Sequence, residues 1–284
     1  MSPKVSRALA TLVVPAVLAL LGTAACATAA STSADGCGDE CDRMQAIPAG
    51  TLMMGCDTSV QASCPPDQLP RHAVDVPAFE IDKYEATVAR YLACVEAGPC
   101  SVPGIGSVGT AGSPSCNWDV AGREQHPQNC ISWDQAQAFC EWAGRRLCSE
   151  AEWERAARGT DGRLFPWGDE PPTCKLAVID EGGMGCGTDS TMPVGSKPQG
   201  ASPFGVLDLA GNVGEWVQDG WHPDYTDAPA DGTAWWDPAF SDRVVRGGGF
   251  GDSGAQDLGA SNRVGFTPAS SSVVVGARCC RSTL

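Results

Sequence analysis

The sequence predicts a mixed α+β fold: a single loop-rich domain stapled by disulfides. Three observations predict it. Helix start and stop signals occur only between residues 85 and 158, and beyond residue 160 helical periodicity gives way to Gly, Pro, Asp and Trp. Short apolar stretches suited to strands lie on both sides of those helices. The 284 residues also carry 15 cysteines behind an export-type N-terminus. A chain of this length with 43% hydrophobic residues buries a sizeable core, and covalent staples suit one that is more than half irregular.

From the N-terminus, Lys4 and Arg7 precede an apolar run over residues 8–21, and the small residues Gly22-Thr23-Ala24-Ala25 lead to Cys26. This reads as a signal peptide over 1–25, since the run is shorter than the 18 or more apolar residues of a membrane span. Cleavage before Cys26 would give a lipoprotein attached to the membrane through lipidated Cys26. Cleavage by ordinary signal peptidase would release a secreted protein. Either route is export. Residues 26–44 read as a flexible tether, which places the domain at 45–284.

Residues 47–54 form a strand entered through a Pro-Ala-Gly turn, and the loose alternation of 72–84 gives a second. Residues 85–97 have helical spacing at Val88, Tyr91, Leu92 and Val95, and the Gly-, Pro- and Ser-rich stretch 101–130 is a long pinned loop. Ser132 with Gln135 makes a capping box for a helix with Trp133, Ala136, Phe139, Cys140 and Trp142 along one face, ending at Gly144. Ser149 with Glu152 repeats the device for a helix to Arg158. Short strands are predicted at 243–245 and 272–275. Neither an internal repeat nor a second domain boundary is visible.

A formal charge of −15 leaves no basic stripe to neutralise phosphates, so nucleic acid is excluded as a partner; a monomer is expected. With Cys26 set aside, 14 cysteines remain, enough for seven disulfides. Near neighbours suggest Cys37/Cys41, Cys56/Cys64, Cys94/Cys100, Cys116/Cys130 and Cys174/Cys186. Cys140, Cys148, Cys279 and Cys280 then tie the central helices to the C-terminus, closing loops long enough for about 4 to 5 kcal/mol each. A zinc site is a poor rival, because no CxxC pair and no clustered His accompany these cysteines.

Several strings in order carry a resemblance: Ile47-Pro-Ala-Gly-Thr51 with Met54-Gly55, Phe79-Glu-Ile-Asp-Lys-Tyr-Glu85, Asn129-Cys-Ile-Ser-Trp133 and Trp142-Ala-Gly-Arg-Arg-Leu147. Ser149-Glu-Ala-Glu-Trp-Glu154, Phe165-Pro-Trp-Gly168, Pro193-Val-Gly-Ser196, the stretch Gly205 to Trp216 and Val245-Arg-Gly-Gly248 follow. Over residues 45–282 the chain resembles the formylglycine-generating-enzyme, or sulfatase-modifying-factor, family. The resemblance implies an elaborated C-type-lectin-like α+β domain with little regular secondary structure. Active members oxidise a sulfatase cysteine to formylglycine with two copper-binding cysteines just after the Arg-Gly-Gly motif. Here those positions hold Asp252 and Asp257, and no cysteine lies between Cys186 and Cys279. Thiolates select Cu(I) whereas carboxylates favour hard cations, so copper is not expected and the parent chemistry is not either.

The resemblance also implies a structural calcium loop, with Asp208 and Glu215 supplying carboxylates and Gly211 and Val213 backbone oxygens. A second calcium site cannot be aligned. Iron-dependent branches use histidines that are partly on another domain; His72, His126 and His222 are scattered here. Arg246 and Arg263, with Trp216 and Trp221, are candidates for lining a groove; Trp235 and Trp236 belong to the same aromatic set. The leading expectation is an exported pseudoenzyme that binds a peptide or small-molecule ligand at the cell envelope. The alternative is an oxidoreductase holding a non-heme metal at Asp252, Asp257 and a nearby His.

Overall fold

The computed structural model describes residues 38–61, 63–104 and 115–283. The expected signal peptide, Cys26 and the Cys37 half of the expected Cys37/Cys41 pair lie outside the described residues. The folded part starts before residue 45. A 3-10 turn at Gly38–Asp42 feeds strand β1 (Met44–Ile47), and Asp42 pairs with Arg90 at 2.6 Å and Arg145 at 2.7 Å. The C-terminal part of the expected tether is therefore structure, anchored by charge.

Each of the first two expected strands is split by proline, which cannot donate to a ladder. Pro48 separates β1 from β2 (Gly50–Met54), and Pro77 separates β3 (His72–Val76) from β4 (Phe79–Asp82). Helix α1 (Val88–Ala97) starts at Thr87, whose hydroxyl accepts from Arg90 N, and stops at left-handed Gly98. Both predicted capping boxes form, on α2 (Trp133–Trp142) and α3 (Glu150–Arg158). A two-residue strand, β5 (Arg146–Leu147), joins them. The C-terminal half adds β6 (Gly214–Gly220), β7 (Arg243–Arg246), β8 (Arg263–Phe266), β9 (Val275–Ala277) and β10 (Cys279–Ser282). The strand expected at 272–275 starts at its last residue.

One sheet runs β1-β4-β10-β5, a second is the β2-β3 pair, and a third runs β8-β7-β6-β9 with β6 and β9 parallel. Adjacent residues on a strand face opposite sides of a sheet, and β10 uses this covalently. Cys279 bonds Cys140 of α2, in the cluster of Tyr91, Ile131, Phe139 and Trp216; Cys280 bonds Cys148, in the cluster of Val74, Ile81, Trp153 and Val217. The C-terminal strand thus rivets both hydrophobic clusters. Cys56–Cys64, Cys94–Cys100, Cys116–Cys130 and Cys174–Cys186 form as expected. Cys41 is disulfide-bonded as well.

Candidate functional site

β7 ends at Arg246, and Gly247 and Gly248 follow with φ of 94° and 67°, a left-handed turn that an L side chain would strain. The turn throws residues 249–257 into a loop. A Cβ at Gly248 would lie 2.8 Å from Asp257 O and 3.1 Å from Asp252 Oδ2, so both aspartates flank one glycine. Asp252 is half-buried and its Oδ2 accepts from Gly249 N at 2.8 Å. Burial, then neighbouring Asp257, pushes its carboxyl above the usual range against that hydrogen bond. Asp257 is exposed, on the single turn Ala255–Leu258. The loop docks on the segment pinned by Cys174–Cys186: Asp180 N donates to Asp252 O and Gly185 N to Phe250 O.

Two glycines at the base of this loop are tightly packed. A Cβ at Gly249 would come within 2.8 Å of Val274 Cβ, and one at Gly214 within 2.7 Å of Val245 Cγ1. The histidines have local partners elsewhere. His72 Nδ1 meets Pro70 O, His126 Nδ1 meets Thr191 Oγ1, and His222 Nδ1 meets Gly220 O while its ring stacks on Trp235 at 3.6 Å. Burial and then Arg123 lower the His126 pKa to about 4, which keeps it neutral.

Arg246 and Arg263 do not line a groove; both are buried in an ion-pair network. Glu154 and Glu150 project from α3 one turn apart, which aligns them on the same face. Arg246 Nη2 holds Glu154 Oε2 at 2.6 Å, and Arg263 grips both Glu150 oxygens at 2.7 and 2.9 Å. Arg158 completes the row with Glu154 at 2.8 Å. Burial alone would raise the Glu154 pKa, but Arg246 and Arg158 outweigh it and hold the carboxylate low. Trp216 is buried too, its indole N–H on Ile131 O at 3.0 Å, and Trp221 packs half-buried over Gly265. The expected lining residues are scaffold because a loop-rich body needs buried side-chain donors to satisfy carbonyls that no ladder reaches. Arg246, for example, bonds the carbonyls of Ala260, Ser261 and Asn262.

Asp219 joins this network from β6, accepting from Glu150 N and Trp235 N, both at 2.7 Å. Burial and then Glu150 push its carboxyl up to about 7. The sign follows from proton uptake: with a raised folded-state pKa, the native protein keeps a proton that the unfolded chain loses near pH 4. This carboxyl therefore contributes a decline in stability as pH rises from about 4 to about 7. Thermal unfolding between pH 5 and 8 should give a falling Tm whose slope is shallower in Asp219→Asn. Parallel pH curves for the two proteins would exclude Asp219 as the source.

The loop 208–215 brings its expected residues together and adds Glu85. Asp208 and Asn212 have φ of 60°, and such left-handed positions suit Asp and Asn. Asp208 Oδ2 accepts from Gly195 N at 2.6 Å. Glu85 accepts from Asn212 Nδ2 at 2.6 Å and Val213 N at 3.1 Å. Glu215, however, spends its oxygens on Trp153 Nε1 at 2.7 Å and on Arg278, whose Nε and Nη2 lie 2.7 to 3.0 Å away. Burial, with Glu215 adding to it, lifts the Asp208 pKa to about 6; burial, then Asp208 and Glu215, lifts Glu85 well above its usual value. Asp208 offers a hard carboxylate oxygen, the donor type calcium takes, while Glu215 is committed to Arg278 instead.

Comparison with known proteins accords with the fold and its ordered strings. Residues 29–283 match the model of the sulfatase-modifying factor enzyme 1-like domain. The formylglycine-generating enzyme of Streptomyces coelicolor is 32% identical over 288 residues, covering 82% of this chain and 87% of that protein. The hercynine oxygenase of Mycolicibacterium smegmatis is 28% identical over 193 residues, covering 60% of this chain and 44% of that one. Among solved structures, PvdO from Pseudomonas aeruginosa superposes with a TM-score of 0.73 at 30% identity, covering 84% of this chain and 94% of that chain. The chain belongs to the sulfatase-modifying factor enzyme 1-like family.

Proposed function

We propose that this chain is an exported family member that binds a ligand at the cell envelope and does not generate formylglycine. One observation carries the reading. Every described cysteine is locked in a disulfide, so no described thiolate is available for Cu(I), and the positions that the resemblance matches to the copper-binding cysteines are Asp252 and Asp257. The disulfide density supports export, since such bonds persist in oxidising compartments. Calcium is part of the proposal as a structural ion at Asp208 with the carbonyls of Gly211 and Val213.

A second reading, an oxidoreductase with a different metal, draws on the closeness of Asp252 and Asp257. It lacks a donor set: among the described residues no three His, Cys, Asp or Glu side chains are grouped to hold a metal. The test is a Cys-x-Pro-x-Arg peptide incubated under oxygen with the purified protein and copper, then iron, and scored by mass spectrometry for the aldehyde. No conversion with either metal is expected. Aldehyde formation with either would overturn the proposal.

A further inference from the structure

An apolar groove lies far in sequence from Asp252, between α1 and the loop 117–124. Its volume is about 340 Å³, and Val88, Leu92, Trp118, Val120 and Ala121 supply its apolar lining, with Asp119 and Glu124 as its charged groups. Leu92 follows Val88 by one helical turn on the same face, yet it is 41% exposed, and Val120 opposite is 37% exposed. Two large apolar side chains therefore stand at the groove partly uncovered by the described residues.

The walls are held in place. Val88 N and Ala89 N, donors that a helix start leaves unused, bond His126 O at 3.0 Å and Glu124 O at 2.9 Å and so stitch the loop to α1. Trp118 meets Tyr91 edge-on at 5.9 Å, which fixes its ring. Such a preformed, mainly apolar concavity with few polar groups has the character of a small-molecule site. Its charge has one sign. Among the described residues no Lys or Arg lines it, and Arg123, from the same loop, sends a guanidinium N–H to Asn117 Oδ1. Glu124 accepts from Gly122 N, and backbone hydrogen bonds hold its carboxyl below the usual range, so it stays ionised.

We infer that this groove binds a small organic ammonium compound: an apolar or aromatic body seated against Leu92, Val120 and Trp118, with its cation beside Asp119 and Glu124. The Trp118 ring adds a face that attracts cations. This gives the binding proposal a ligand class, and its test is separate from the aldehyde assay: either can fail without the other.

The probes are 2-phenylethylammonium and 3-phenylpropionate, similar in body and opposite in charge, titrated into the full chain by calorimetry with ligand-observed NMR. The ammonium should bind saturably and at least tenfold more tightly than the carboxylate, and the preference should shrink with added salt. The variant Asp119→Asn/Glu124→Gln should lose that preference. Both sites are exposed, and Asn is at home at the φ of 58° of Asp119, so circular dichroism should be unchanged. Leu92→Lys should abolish ammonium binding. Equal binding of the two probes, binding of neither, or a preference that survives neutralisation would overturn the inference.

Discussion

Removing either C-terminal disulfide alone should cost about 2.5 to 3 kcal/mol, and removing both about 7 to 8 kcal/mol. Cys140–Cys279 and Cys148–Cys280 close loops of 139 and 132 residues in sequence. Taken one at a time, each is worth about 5 kcal/mol in the chain-entropy model. They are not independent, because Cys279 and Cys280 are neighbours. With one bridge intact, the other closes only the short path from residue 140 to 148 and back through the adjacent pair, about ten residues. Most of the entropy is then already removed, and only the loss of both bridges releases the long loop. The two-bridge loss is comparable to a typical domain's whole stability, about 5 to 15 kcal/mol. Cys140→Ala/Cys279→Ala and Cys148→Ala/Cys280→Ala should each unfold cooperatively, with Tm lowered by about 5 to 12 °C. The fourfold variant should be unfolded or nearly so at room temperature. Denaturant titration of the three variants checks this. A fourfold loss equal to the sum of the two single-bridge losses would rule out the shared loop.

Local signals were the legible ones. Capping boxes, which depend on two residues three apart, marked α2 and α3 within one or two residues. Near-neighbour cysteines marked four bridges, and the four left over marked the two that join the helices to β10. Signals that depend on distant partners were not legible. β6 reads as a Gly-rich loop because it is buried nearly throughout, so the alternation that betrays a half-exposed strand is absent. α3 has all nine residues buried although five are charged, and the Glu150, Glu154 and Arg158 series looks like a solvated helix face until Arg246 and Arg263 arrive from far along the chain. The same reason hid Arg278 as partner of Glu215 and drew Arg246 and Arg263 toward a groove they do not line. A charge row of opposite signs, one helical turn apart and interleaved with a Trp, was the one available hint of burial.

Replacing Glu215 by Ala should destabilise the protein by about 3 to 5 kcal/mol, equally in calcium and in chelator. The carry-over from active relatives makes Glu215 a calcium ligand, in which case its loss would matter only with the ion present. The geometry assigns it another duty. Its two oxygens accept three bonds from Arg278 and one from Trp153 Nε1. Arg278 in turn bonds Asp82 O at 2.8 Å and Leu207 O at 2.7 Å, so one carboxylate orients a guanidinium that ties β4 to the residue before the 208–215 loop. Truncation leaves a buried cation and an indole N–H unpaired, whatever the solution contains. Glu215→Gln keeps an acceptor for Trp153 and should lose less than Ala. Glu215→Ala/Arg278→Met, which removes both charges, should recover part of the loss. The calcium-dependent difference should fall on Asp208→Asn, whose carboxylate accepts from Gly195 N. Thermal unfolding of the four variants, each with calcium and with chelator, separates the two duties. A Glu215→Ala loss confined to the calcium arm would make Glu215 a ligand after all, because an ion pair with Arg278 has no reason to respond to the metal.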